Sequence, residues 1–171
     1  LEKVLHNVYD VVLLDISMPG RSGLEILEDI KAQRPKLAVL ILSMHPEEQY
    51  AVRALRAGAS GYLTKASAPQ ELIGAIRKVA SGGKYVTASL AEKLADELES
   101  DAEKLPHERL SNREHEVMLM LASGKSVSDV AGELCLSVKT ISTYRTRILA
   151  KMAMKKNAEL TLYAVHNKLI N

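Results

Sequence analysis

Phenylalanine and tryptophan are absent from these 171 residues, and aromatics make up only 4% of them. A core built from this chain must therefore be aliphatic. A single cysteine, Cys135, excludes an internal disulfide and fits a reducing compartment. No apolar run approaches the roughly 18 to 20 residues of a membrane span, and no signal-peptide pattern opens the chain. The five histidines show no metal-ligand spacing. These absences lead us to expect a cytoplasmic protein with no membrane partner. With 47% apolar residues, a chain of this length is comfortable as two small domains.

The net charge of +2 hides an asymmetry. Residues 1–103 carry 12 Lys and Arg against 15 Asp and Glu, a balance of −3, whereas residues 104–171 carry 11 against 6, a balance of +5. An acidic front and a basic back is the electrostatic footprint of a terminal module that binds nucleic acid.

Alternating patterns fill the first 82 residues: strands at 10–14, 37–42 and 60–64, separated by helices near 23–33, 46–57 and 69–81. Pro69 suits a first helical position, and Gly82-Gly83 marks a stop. Such alternation predicts a parallel, doubly wound α/β sheet. The three apolar runs end in Asp15, Ser43 and Lys65. Strand C-termini of a parallel sheet open onto one edge, where ligands bind. A carboxylate, a hydroxyl and an ammonium meeting there predict phosphoryl chemistry on the carboxylate. From 88 to 103, Leu90, Leu94 and Leu98 recur with period four among charged residues, a narrow amphipathic helix suited to linking or pairing. Pro106 then breaks the chain.

The basic module opens on a capping box, Ser111-Asn112-Arg113-Glu114, and its first helix ends at Gly124. A second box, Ser126-Val127-Ser128-Asp129, starts a short helix through Leu134. After the turn at 135–137, a long helix runs over 138–154 and a fourth over 157–169. Two helices joined by a tight turn, the second long and basic, form a helix-turn-helix. At 100° per residue, Val138, Ile141, Ile148, Leu149 and Met152 face inward. Lys139, Ser142, Thr143 and Thr146 face outward, flanked by Thr140 and Arg147. Ser and Thr can bond base edges. Lys139, Arg147 and Lys151 suit phosphates. Arg145 falls inside the apolar arc, so it either snorkels to a phosphate or marks where the helix leaves the domain surface. Met18 and Cys135 read as packing residues, and His45 reads as a loop residue.

The motifs resemble those of response regulators of the NarL/FixJ type, which join a receiver to a LuxR-type helix-turn-helix. The receiver resemblance rests on Asp15-Ile16-Ser17-Met18-Pro19 with Gly23, on Ser43, and on Tyr62-Leu63-Thr64-Lys65. The DNA-binding resemblance rests on Leu110-Ser111-Asn112-Arg113-Glu114, on Ala131 and Leu134, and on Ser137-Val138-Lys139-Thr140-Ile141. The stretch Ser142-Thr143-Tyr144-Arg145 looks closest to regulators of the GacA/UvrY kind, which adds Tyr144 to the DNA-facing set. The resemblance implies a receiver over 1–83, a linker with an amphipathic helix over 84–108, and a four-helix DNA-binding domain over 109–171. By it, Asp15 accepts a phosphoryl group from a sensor histidine kinase, Lys65 and Ser43 bind the phosphoryl oxygens, and Tyr62 is the switch aromatic. Mg²⁺ would be held by Asp15, the backbone carbonyl of Ser17 and acidic residues elsewhere. The partners implied are double-stranded DNA and a second copy of the chain.

Family receivers have a flavodoxin-like sheet of strand order 2-1-3-4-5, and this sequence begins just before the third strand. The first strand, its acidic pair and the second strand are not in it, so the receiver is incomplete at its N-terminus and the natural protein is expected to be longer. Strand 10–14 would then present an apolar open edge. Ala66 stands where many receivers carry Pro. Two alternatives follow: a phosphorylation-independent DNA-binding dimer with a degenerate receiver, and a phosphatase of the haloacid-dehalogenase kind. The phosphatase would need a second Asp two residues beyond Asp15, where this chain has Ser17, so an enzyme is not expected.

Overall fold

The computed structural model describes residues 1–18, 20–67, 69–99 and 105–170, with the side chains at 93 and 96–99 outside the description. The chain divides into two compact units, Leu1–Asp101 and Ala102–Asn171. Pro19 and residues 100–104 lie outside the described residues, and with them the end of the expected amphipathic helix.

In the first unit a short helix α1 (Glu2–His6), which periodicity did not reveal, precedes β1 (Val11–Leu14). Then follow α2 (Gly23–Gln33), β2 (Ala38–Ser43), α3 (Glu47–Arg56), β3 (Gly61–Thr64), α4 (Pro69–Ala80) and α5 (Ala88–Glu99). The strands form one parallel sheet in the order β1-β2-β3, with Leu14 opposite Ile41 and Ser43 opposite Thr64. Successive strand side chains point to opposite faces. Leu40 and Leu63 therefore pack with Ala75 and Val79 of α4 on one face. Val39, Ile41 and Tyr62, each fully buried, point to the other, and α3 packs against β3. Helices on both faces are what a doubly wound sheet requires.

The start of α5 belongs to this unit rather than standing apart as a link. Leu90 is buried, and Thr87, just ahead of the helix, donates its hydroxyl to Glu47 at 2.7 Å. Leu13 on β1 stays 46% exposed, as expected for a strand paired on one side only.

The second unit holds a 3₁₀ turn (Pro106–Arg109) and four helices: α6 (Asn112–Ala122), α7 (Val127–Glu133), α8 (Val138–Lys151) and α9 (Asn157–His166). Both expected capping boxes are present. The Ser111 hydroxyl accepts from the Glu114 N–H at 3.3 Å, and Ser126 does the same for Asp129 at 3.2 Å. Left-handed residues follow three of the helices: Cys135 (φ 53°), Ala153 (φ 55°) and Lys168 (φ 54°). They explain why α8 and α9 end before the expected 154 and 169. Cys135 is exposed, not packed, because that turn conformation directs it to solvent. The Arg113–Glu116 ion pair is buried at 2.7 Å, and Arg113 also donates to the Leu134 carbonyl, tying α6 to the end of α7. His107 and Tyr163 share a 2.8 Å hydrogen bond that fastens the 3₁₀ turn to α9.

Candidate functional site

Asp15 follows β1 directly, Ser43 ends β2 and Lys65 follows β3. The Lys65 N–H donates to the Ser43 carbonyl at 2.7 Å, which draws these strand ends together. The Lys65 ammonium pairs with Asp15 Oδ2, while Oδ1 accepts from the Ser17 N–H at 3.1 Å. The Asp15 side chain remains 26% exposed, so an incoming group can reach it. Gly23 lets α2 begin this close: a Cβ there would lie 2.0 Å from the Asp15 carbonyl oxygen.

Ser43 is fully buried, and its Oγ accepts from the His45 N–H at 3.1 Å. Tyr62 lies beside it, fully buried, donating its hydroxyl to the His45 carbonyl at 2.8 Å. Burial pushes the Tyr62 hydroxyl up to about 12; a hydrogen bond with Ser43 opposes the rise, and Glu47, Glu48 and Asp15 add to it. His45 also shares a 2.9 Å hydrogen bond between Nε2 and the Ser17 hydroxyl, and its ring lies 4.9 Å from that of Tyr50. It is thus the hub of the edge, a role its sequence position as a loop residue conceals. Its place two residues after Ser43 was the one available signal.

A second surface lies on α8. Lys139, Ser142, Thr143, Thr146 and Arg147 are exposed, and Thr140 and Tyr144 are half-buried. Ser137, Lys139, Thr140, Thr143, Tyr144 and Arg147 line a shallow cleft of about 310 Å³. Thr143 donates its hydroxyl to the Lys139 carbonyl at 3.0 Å, and Thr146 donates to Ser142 at 3.1 Å. Their donors face the helix, so their lone pairs face outward.

One expectation for α8 needs correction, and two of its cations have partners inside the unit. Val138 is 51% exposed rather than inward, because it is the first helical residue after the Ser137 cap and lies beyond the core. Arg145 is half-buried, and its Nε donates to Asn157 Oδ1 at 2.7 Å, joining α8 to the start of α9. Lys151 pairs with Glu114 of the first capping box at 2.6 Å while its side chain stays 44% exposed. Lys155 and Lys156, exposed in the turn before α9, add cations that helical phase did not flag.

The first unit has the parallel sheet and strand-end carboxylate of a receiver, and the second has a helix-turn-helix. Residues 1–77 match the response regulator receiver domain, and residues 108–164 match the luxR family of bacterial regulatory proteins. The chain is 38% identical over 166 residues to the response regulator UvrY of Escherichia coli K12, covering 96% of this chain and 76% of that protein. It is 36% identical over 163 residues to the response regulator GacA of Pseudomonas aeruginosa, covering 95% and 76%. Among solved structures, RcsB from Salmonella enterica serovar Typhimurium, bound to the promoter rprA in the presence of phosphomimetic BeF3⁻, superimposes with a TM-score of 0.58 at 25% identity. That match covers 95% of this chain and 78% of RcsB. The chain belongs to the response regulators that carry a receiver and a LuxR-family regulatory domain.

Receiver domains generally bind Mg²⁺ for phosphorylation. Here Asp15 offers one carboxylate and Ser17 a backbone carbonyl. Among the described residues no group of three or more His, Cys, Asp or Glu could hold a metal ion. By themselves these two donors do not fit a divalent-cation site. No helix of the described residues is long and apolar enough to cross a membrane.

Proposed function

We propose that the chain is a phosphorylation-controlled transcription factor, cytoplasmic and homodimeric, that binds double-stranded DNA under the control of a sensor histidine kinase. The observation that carries this reading is the meeting of Asp15, Lys65 and Ser43 at one sheet edge, in a chain whose second unit offers hydroxyls and cations on an exposed helix. The relatives' names and the RcsB–promoter complex support it.

In the proposed reaction an Asp15 carboxylate oxygen attacks the phosphorus of a phosphohistidine. An O–P bond forms, the P–N bond breaks, and the imidazole leaves. The aspartyl phosphate carries about −1.5 to −2 charges at neutral pH. Lys65 moves from the carboxylate to a phosphoryl oxygen as a point charge, and the Ser43 hydroxyl donates to another. Donating its one proton to the phosphoryl group takes it from Tyr62, while the Ser43 Oγ can still accept from the His45 N–H. That frees Tyr62 to change its packing, which is its switch role. To carry a mostly inactive population to a mostly active one, the states must differ by roughly 5 kcal/mol in phosphoryl affinity. No step is assigned to Mg²⁺, whose remaining ligands the described residues do not bring together.

On DNA, Lys139 and Arg147 are assigned to phosphates and Thr140, Ser142, Thr143, Tyr144 and Thr146 to the groove. Arg145 and Lys151 are assigned to holding α8 in place. A second reading, a DNA-binding dimer whose receiver is not phosphorylated, is favoured by the incomplete metal set. Intact mass before and after acetyl phosphate with Mg²⁺ separates the two. One phosphoryl adduct, lost in Asp15→Asn, is the expected result. No adduct with DNA binding retained would establish the second reading instead.

A further inference from the structure

At the opposite, N-terminal edge of the sheet lies a cavity of about 430 Å³ that phosphoryl transfer does not use. Its charged lining consists of Lys31, Lys36 and Lys84, with no carboxylate, although the acidic part of the chain surrounds it. Gly82 and Gly83 floor one side, and a Cβ at Gly82 would meet nothing within 4 Å. Lysines near helix C-termini ordinarily serve the carbonyls there, but two of these serve loop carbonyls just before β2 and β3. Lys31 donates to the Leu37 carbonyl at 2.5 Å and to that of Pro35 at 3.5 Å, and Lys84 donates to that of Ala59 at 2.6 Å. Each ammonium carries more protons than these carbonyls take up.

Like charges are also held close. The Lys31 ammonium lies below its ordinary range, first through burial and then through the positive charge of Lys84. Helix-end neutralisation does not call for three cations in one concavity. An anion of several charges does, and the volume is that of a small-molecule site. A neighbouring cavity of about 440 Å³ shares Pro35 and Lys36 and adds Arg34, the Asp10 carboxylate and Tyr9, which is 42% exposed.

We propose that this edge of the receiver binds a nucleoside polyphosphate, its phosphate chain among Lys31, Lys36 and Lys84 and its base on Tyr9. Such a site would let a metabolite bias the receiver from the side away from Asp15.

The test is calorimetric titration of the full chain with ATP, AMP and tripolyphosphate at low and high salt. We expect ATP to bind, to weaken with salt, and to bind at least about tenfold more tightly than AMP. The Lys31→Gln/Lys84→Gln variant should lose about tenfold or more in ATP affinity. Lys36→Gln, at an exposed residue, should lose about threefold and decides the matter if the double variant fails to fold. Lys139→Gln/Arg147→Gln should leave ATP binding unchanged. Absence of ATP binding, indifference to the three lysine changes, or loss on changing Lys139 and Arg147 would each overturn the proposal. Equal affinity for tripolyphosphate and ATP would overturn the role of Tyr9.

Discussion

Tyr62 shows how one side chain can record the state of a whole unit. It is fully buried, yet its hydroxyl ends on the carbonyl of His45, the residue whose N–H holds Ser43. Removing the hydroxyl in Tyr62→Phe keeps the packing and orphans that carbonyl, so the receiver should lose about 1 kcal/mol in urea denaturation. The pH dependence follows from the raised hydroxyl. A group whose folded value lies above its unfolded one contributes stability in full below the unfolded value and loses it through the folded value. For Tyr62 the loss should run from 10 to about 12, and Tyr62→Phe should flatten it. On α8, the back-bonded hydroxyl of Thr143 presents lone pairs, which suit an adenine or cytosine amino group. A binding-site selection with Thr143→Val should therefore relax preference at one A- or C-containing position and leave the others intact.

Helix α6 depends on a short chain of contacts at its N-terminus. Burial raises the Glu114 carboxyl, but the Lys151 ammonium and the Ser111 hydrogen bonds outweigh it and hold the group below its ordinary 4.5. A depressed carboxyl contributes stability above its unfolded value and loses it as pH falls through the folded one. Lys151→Met should therefore cost about 0.5–1 kcal/mol at neutral pH, since solvent screens the half-exposed ammonium. The difference from the parent should shrink below pH 4.5 in denaturant titrations, as Glu114 protonates in both proteins. Apart from α1 and the 3₁₀ turn, the elements were legible in the sequence, because alternation, Pro69, the glycine stops and two capping boxes are local signals. The alignment of Asp15, Ser43 and Lys65 was legible too, since a parallel sheet turns chain order into position. His45, Lys151 and Arg145 were not. Their partners, Ser17, Glu114 and Asn157, lie on other elements, and no periodicity reaches across them. Val138 and Cys135 were misplaced for a different reason: both sit at helix ends, where helical phase no longer determines direction.

At the scale of the whole molecule, charge divides the labour. The balance of −3 over residues 1–103 keeps that half from competing for DNA, and the +5 over 104–171 supplies the attraction. Binding to an operator should fall steeply with salt, each phosphate contact adding about 0.9 to the slope of log K against log salt. Arg147→Ala should lower that slope by about one and weaken all sequences alike in a filter-binding series. Lys151→Met, once corrected for stability, should leave the slope as it is. Warming bears on the second unit through its buried charges. Both units have aliphatic cores, and the second also keeps Glu114 and the Arg113–Glu116 ion pair out of water along one turn of α6. Hydrating a charge becomes less favourable as temperature rises, so the cost of keeping those groups dry diminishes with heat. The penalty for burying that pair in α6 should therefore be smaller in the warm than in the cold.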